Sequence, residues 1–401
     1  MLLEDELAKI KEFFKRNVII SDFEEILRFK PDTLIGIDQI SSEELRKVGI
    51  NNLDDLANLS KDTPLEIKGI LPNIIIKWIK ISKLIKKKIT EQLRTQKKLL
   101  LIGLDNGGKT SILSVLQDKF SIIKSLLPTK GVRREKLEFF GFPIVSWDLG
   151  GQVQYREKYY FNKPEIFFTE VDLILYVIDV QDRNRFQESA EYFSQVLEAL
   201  SDLGENAPIL IVLNKSDQDF RKTIEWQKNI NAIKEVLSPV LIKFDTFEID
   251  YYDTTIFQKE TIMQMFSIAL KKVSDTSEII EHILQEFLYI VNGKAASLIS
   301  MDGLIFGSYF QTNTDEMLIN NTALLLQTLS NFHNSIGLIR EKLIKLEFPM
   351  NGITIQGEKL FEYSNLQIPV YFWVLLDDPS LIDENIEYFK QQLLPLINLF
   401  I

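Results

Sequence analysis

The hydrophobic positions of this chain change rhythm twice. Residues 1 to about 96 carry short segments with helical spacing: 2–14, a stretch that Ser21-Asp22-Phe23-Glu24 caps and Pro31 closes, then 42–50, 52–57 and 65–79. In the middle of the chain, apolar runs alternate with helical stretches. Lys98-Leu99-Leu100-Leu101-Ile102, residues 142–147 and residues 208–213 read as strands, and Ile112-Leu113-Ser114-Val115-Leu116 reads as a helix. From about 276 the predicted order is a helix (279–291), two strands (295–301 and 304–310), a helix (315–332), three strands (344–348, 353–356 and 370–376) and a last helix (379–400). Asp302-Gly303 and Asn351-Gly352 stand between strand pairs. Asp-Gly is a strong hairpin signal, because both central positions of a type I′ turn need positive φ.

Composition narrows the chemistry. A chain of 401 residues with 45% apolar content predicts two or three domains with real cores. There are no cysteines, which excludes disulfides, thiolate metal sites and a Cys nucleophile, and fits a reducing, cytoplasmic setting. The net charge of -11 argues against wholesale nucleic-acid binding. The two histidines, His282 and His333, fall in helical patterns and are expected at helix surfaces rather than in a catalytic or metal site. No run approaches the ~18 apolar residues of a membrane helix. The start, Met1-Leu2-Leu3-Glu4, does not resemble a signal peptide, and Leu2 stands where myristoylation requires glycine, so no acyl anchor is expected.

Four short stretches carry the chemistry. Gly103-Leu104-Asp105-Asn106-Gly107-Gly108-Lys109-Thr110-Ser111 lies between a predicted strand and a predicted helix, the setting that a GxxxxGK[ST] phosphate-binding loop requires. Its N–H groups from Asp105 to Thr110 would converge on a phosphate at a helix N-terminus, Lys109 would reach the β- and γ-oxygens, and Thr110 would ligate Mg²⁺. Asp148-Leu149-Gly150-Gly151-Gln152 ends a second strand. There Asp148 would hold Mg²⁺ through water, the Gly151 amide would approach the γ-phosphate, and Gln152 would orient the attacking water. Asn214-Lys215-Ser216-Asp217 ends a third strand. Asp217 can accept from the N1–H and exocyclic amine of guanine, a donor pair adenine lacks, while Asn214 ties loops together and the Lys215 stem covers the base. In Pro128-Thr129-Lys130-Gly131, Thr129 would complete the Mg²⁺ shell and touch the γ-phosphate. The expected catalytic set is therefore Gln152, Lys109 and Thr129, and the metal set is Thr110, Thr129 and Asp148.

With these residues in place, 97–273 resembles a small GTPase of the Arf/Arf-like branch. The phosphate loop is nearly that family's GLDNAGKT, Asp148 to Gln152 is similar to its DVGGQ, and Asp182-Arg183-Asn184-Arg185-Phe186-Gln187-Glu188-Ser189-Ala190 resembles the stretch after its fourth strand. Two departures stand out. Tyr252-Asp253-Thr254-Thr255-Ile256-Phe257 resembles the Rag GTPases instead, and Glu248-Ile249-Asp250-Tyr251 stands where the usual guanine loop is expected. The C-terminal element order resembles the roadblock fold, one five-stranded antiparallel sheet flanked by helices. A GTPase followed by such a domain is the order of Rag/Gtr proteins.

The fold class implied is α/β. A P-loop GTPase domain over 97–273, its sheet mostly parallel with helices on both faces, is flanked by an all-α, helix-hairpin-helix-like domain over 1–96 and an α/β roadblock-like dimerisation domain over 276–401. The N-terminal hairpins lack the second glycine of DNA-binding relatives: Asp38, Asn51 and Leu71 stand there. That favours a protein-binding or structural module over a nucleic-acid reader. Residues 77–98 hold nine Lys or Arg and one acid, Glu91, beside an apolar stripe. They read either as a solvated connecting helix packed on the GTPase domain or as a basic amphipathic helix on an anionic membrane surface. The functional expectation is a Mg²⁺-dependent GTP/GDP switch. No arginine precedes Thr129 as the Gα family's cis arginine does, which predicts slow hydrolysis and an activating partner. The roadblock-like domain is expected to form homo- or heterodimers. Two alternatives are a Rag-like, nucleotide-bound scaffold and a nucleic-acid-associated GTPase acting through the N-terminal hairpins.

Overall fold

The structure, a computed structural model, describes residues 8–20, 23–60, 67–90, 97–116, 132–139, 142–149, 152, 160–301, 303–337, 342–363 and 368–399. The chain divides into two compact units: residues 95–273, and a second unit assembled from both ends of the chain, 1–94 with 274–401. The sequence pattern suggested separate N- and C-terminal domains; the structure joins them.

In the N-terminal part of the terminal unit, short helices precede a long one. Helix α1 (Gln39–Lys47) is capped by Asp38, whose carboxylate accepts from the Ser41 N–H at 2.6 Å. Helix α2 (Leu53–Asn58) opens with a reciprocal capping box between Asn52 and Asp55. Helix α3 (Pro72–Thr90) merges the expected helix near 74–79 with the first part of the basic segment. Proline at its first position is pre-set for helix, and no Gly or Pro interrupts it afterwards.

The unit of 95–273 is built on a six-stranded sheet. Strand β1 (Lys97–Ile102) is central. Strands β2 (Val132–Phe139) and β3 (Phe142–Leu149) lie on one side of it, and β4 (Leu173–Asp179), β5 (Ile209–Asn214) and β6 (Ile249–Asp253) on the other, in the order β2-β3-β1-β4-β5-β6. Only β2 runs antiparallel. Every residue of β5 is buried, and β4 is buried up to Asp179, as expected for strands covered by helices on both faces. Its longer described helices are α4 (Lys109–Leu116), α5 (Phe186–Asp202), α6 (Ile224–Lys243) and α7 (Lys259–Val273). Phe193, Val196, Leu197 and Leu200 of α5 and Ile233 and Leu237 of α6 fill one core with Leu100, Tyr176 and Ile211. Two buried polar bonds fix helix positions: Tyr176 Oη donates to the Ser189 carbonyl at 2.6 Å, and Asn229 Nδ2 to the Val180 carbonyl at 2.9 Å. Strand β6 corrects one expectation. Glu248-Ile249-Asp250-Tyr251 does not form a guanine loop; Ile249 onward extends as β6, in parallel register with β5.

The C-terminal part holds α8 (Ser277–Val291), β7 (Gly293–Ser300), β8 (Ile305–Phe310), α9 (Asn313–Ser335), β9 (Leu343–Phe348), β10 (Ile353–Tyr363), β11 (Ile368–Leu376) and α10 (Ile382–Asn398). The strands form an antiparallel sheet in the order β8-β7-β11-β10-β9. The helix and strand order is the expected one. Strand β10 continues well past the expected 356, because it pairs with β11 through Tyr363 even where its own sequence turns polar. Asp302 of the first hairpin turn lies outside the described residues. Strand β11 is apolar throughout its buried length because both faces are covered. Tyr371, Trp373 and Leu375 share one core with Ile319 of α9. On the other face, Phe372 meets Phe287 of α8, which also meets Phe389 of α10, with ring centroids 4.9 and 4.8 Å apart.

Helix α3 lies against α2 and α8 within this unit. Ile75, Trp78, Ile79, Ile81, Leu84 and Ile85 are buried. Its lysines meet acids and one histidine of α8 and its preceding turn in antiparallel sequence: Lys77 with Glu286, Lys80 with Glu278 (2.7 Å) and His282 (3.0 Å), and Lys87 with Asp275 (2.9 Å). The apolar stripe and much of the basic row are thus engaged inside the protein. The helix packs on α2 and α8 of its own unit, which does not support a membrane-lying helix.

Candidate nucleotide site

The carboxyl ends of β1, β3, β4, β5 and β6 converge on one edge of the sheet. The order reverses at β1, whose neighbours are β3 and β4, and open α/β sheets bind ligands at such a switch point. Among the described residues, Gly103 to Ser111 follows β1, Asp148 stands near the end of β3, and Asn214-Lys215-Ser216-Asp217 stands at the end of β5.

The loop after β1 has a shape only glycine permits at two places. At Gly103 (φ +145°) a Cβ would lie 2.2 Å from the Val177 carbonyl oxygen, and at Gly108 (φ +93°) it would lie 2.3 Å from Asn214 Nδ2. Asn106 is also left-handed, with φ +62°. Lys109 is buried, and its ammonium donates to the Gly103 and Leu104 carbonyls at 2.9 and 2.8 Å. The chain turns into α4 at Lys109, so the amides at the loop's end stand at a helix N-terminus. Gly107 is buried, and Ser111 lies on the first turn of α4.

Thr110 Oγ1 donates to Asp148 Oδ2 at 2.5 Å, joining the start of α4 to the end of β3. Asp148 is fully buried and sits beside Leu101 in the β1–β3 register. A hydroxyl and a carboxylate side by side form an oxygen-only donor pair suited to a hard divalent cation. Among the described residues there is no cluster of three or more His, Cys, Asp or Glu able to hold a metal by itself. Gln152 is half-buried. Thr129 and Gly151, with Pro128, Lys130, Gly131 and Gly150, lie outside the described residues.

The far side of the site is laced together by side chains. Asn214, buried at the end of β5, donates to the Gly107 carbonyl at 2.8 Å and accepts from Thr254 Oγ1 at 3.1 Å. Lys215 has φ +62°, and its ammonium reaches Asp179 Oδ2 at 2.6 Å. Asp217 accepts from Thr255 Oγ1 at 2.5 Å through Oδ1 and from Gln181 Nε2 at 3.2 Å through Oδ2. The loop that meets Asn214 and Asp217 is therefore Thr254-Thr255, just after β6. The signal was present in the sequence as two consecutive hydroxyl residues following a strand, but the strand itself was not anticipated.

Residues 98–336, more than half of the chain, match the Gtr1/RagA G protein conserved region. The chain belongs to the Gtr1/RagA G-protein family. It is a small GTPase with both Rag-like and Arf-like features. The Arf-like side is seen in ADP-ribosylation factor-like protein 3 of Chlamydomonas reinhardtii, 36% identical over 120 residues, which cover 30% of this chain and 63% of that protein. Among solved structures, the Arl6 BBS3 small GTPase of Trypanosoma brucei, determined with the bound nucleotide analogue GppNp, is 20% identical. The match covers 45% of this Gtr1/RagA-family chain and 98% of that one, at a TM-score of 0.36.

A further residue of this site escaped sequence reasoning. Arg185, in the turn before α5, donates from Nη2 to Asp105 Oδ1 at 2.6 Å and from Nη1 to the Asp105 carbonyl at 3.2 Å. Its Nε donates to Glu188 Oε2 at 2.9 Å. The bonds to the two carboxylates, Glu188 first, hold the guanidinium's pKa above its ordinary value despite partial burial.

Proposed function

We propose that this protein is a guanine-nucleotide switch that binds GTP and GDP with Mg²⁺ and hydrolyses GTP slowly. The observation that carries the reading is Asn214, which ties the phosphate loop to the loop after β6 with one buried amide. That bond supports a single nucleotide site rather than two unrelated turns.

Lys109 and the loop amides hold the phosphates, and Asp217 reads the guanine edge. Thr255 and Gln181 support Asp217 and leave each of its oxygens with a second lone pair for the base. Thr110 and Asp148 fit a Mg²⁺ ion, which when bound neutralises charge on the β- and γ-phosphates. Gln152 orients the attacking water, and Thr129 and the Gly151 amide sense the γ-phosphate. When that phosphate leaves, both tethers are released and the switch segments relax. Hydrolysis is slow because Ser125, Leu126 and Leu127, and no arginine, stand shortly before Thr129; an arginine finger supplied by a partner is worth about 10³ to 10⁵ in rate.

The test is binding of fluorescent GDP, ADP and XDP to the full chain, with single-turnover hydrolysis. Guanine should be preferred, Asp217→Asn should move the preference toward xanthine, and Gln152→Leu should slow hydrolysis with GTP affinity nearly intact. No affinity for guanine nucleotide in the presence of magnesium would remove the proposal.

The C-terminal sheet favours a dimerisation role. Strand β9 is an edge strand, and Leu343, Leu346 and Phe348 on it are exposed. On the same C-terminal part, Met317, Leu325, Leu329 and Phe332 of α9 and Ile336 just after it are exposed as well. An open edge with apolar neighbours is a template for a second roadblock-like domain.

A further inference from the structure

The phosphate loop of this protein carries a carboxylate where it should receive phosphate. Asp105 directly follows Gly103 and Leu104, the residues whose carbonyls hold the Lys109 ammonium. Lys109 is the group that meets the β- and γ-oxygens, so Asp105 stands at the end of the loop nearest the terminal phosphoryl group. A fixed negative charge there repels a triphosphate more than a diphosphate, because the γ-phosphate adds charge at that end.

Arg185 answers this charge from outside the loop. One guanidinium binds both the side chain and the main-chain carbonyl of Asp105, which fixes the carboxylate's direction and the peptide plane together. Glu188, one turn along in α5, holds the guanidinium from its other edge through Nε at 2.9 Å and Nη2 at 3.4 Å. A planar fork can satisfy this arrangement and an ammonium cannot. The next residue, Asn106, sits in the left-handed region, so this is also the strained part of the loop.

We propose that Arg185 is a positioning residue for the phosphate loop, drawing the Asp105 carboxylate toward α5 and neutralising it so that the site accepts a triphosphate. The inference rests on the guanine-nucleotide reading above. It adds a residue that sets the balance between GTP and GDP without touching the base.

The experiment compares the affinity of the full chain for GDP and for a non-hydrolysable GTP analogue in wild type, Arg185→Ala, Arg185→Lys and the double variant Arg185→Ala with Asp105→Asn. Arg185→Ala should weaken the triphosphate by roughly tenfold or more beyond its effect on GDP. Arg185→Lys should fall between, and the double variant should restore the wild-type ratio. Equal weakening of both nucleotides, or failure of Asp105→Asn to restore the ratio, would overturn the proposal. Should Arg185→Ala not fold, Asp105→Asn alone decides: the GTP-to-GDP affinity ratio should rise, and a fall or no change would refute it. Wild-type protein that binds neither nucleotide would instead remove the underlying site reading.

Discussion

Asn214 illustrates how little of this site depends on contact with a ligand. Its amide donates to the Gly107 carbonyl and accepts from Thr254, with almost no exposure to water (1%). Replacing it with alanine leaves a buried carbonyl and a buried hydroxyl without their partner, worth about 1 to 3 kcal/mol each. Asn214→Ala should therefore lower nucleotide affinity by tenfold or more, as roughly 1.4 kcal/mol is a factor of ten. Titration with labelled GDP beside a melting curve checks this; unchanged affinity would contradict it. Such residues were legible from sequence because they sit in short linear motifs whose spacing carries the chemistry. Arg185 and Thr255 were not. They act on residues 80 and 38 positions away; no local pattern announces the Arg185 contact, and the Thr254-Thr255 pair could be read only once β6 was known to precede it.

Helix α3 shows the same limit one level up. Its helical spacing and basic row were visible, but the spacing could not say which surface the apolar face covers. The structure sets it against α8, with Lys77 buried between Glu286 and Gln392, the latter 3.0 Å away. Burial, the larger effect, pulls the Lys77 pKa below 10.5, and the Glu286 charge opposes it. Removing that charge leaves burial unopposed. In Glu286→Gln the folded protein should then bind fewer protons at Lys77 than the unfolded chain, whose pKa stays near 10.5. Stability should rise with pH from the depressed folded pKa up to the unfolded value. The loss at neutral pH should be about 3 to 5 kcal/mol, as for other buried pairs deprived of one partner. Denaturant unfolding across pH 7 to 10 measures both; a loss independent of pH would mean that Lys77 is not the group responsible.

At the scale of the whole molecule, the chain folds its two ends into one unit, and residues 95–273 form another. Within the terminal unit the C-terminal sheet is covered on one face by α8 and α10 and on the other by α9. Among the described residues, the β9 edge and the outer side of α9 stay open, with Leu325 and Phe332 60% and 59% exposed. If a second copy covers this surface, light scattering after size exclusion should give a dimer. Phe332→Glu with Leu346→Lys should then yield monomers that melt at nearly the same temperature. Monomeric wild-type protein at micromolar concentration would argue that homodimers do not form through this face.

The sequence by itself determined the motifs of the candidate nucleotide site and, in the C-terminal part, the helix-and-strand order and the hairpins. Each of these follows from local spacing: a loop's glycines, a period of two or near four, a turn residue with the required φ. Only the tertiary structure decided where α3 packs, that both ends of the chain share a core, that β6 continues through the expected base loop, and that Arg185 meets Asp105. Those outcomes depend on which surfaces are left to bury once the local elements exist. That choice is made by shape and charge across distant segments, which spacing along the chain does not record.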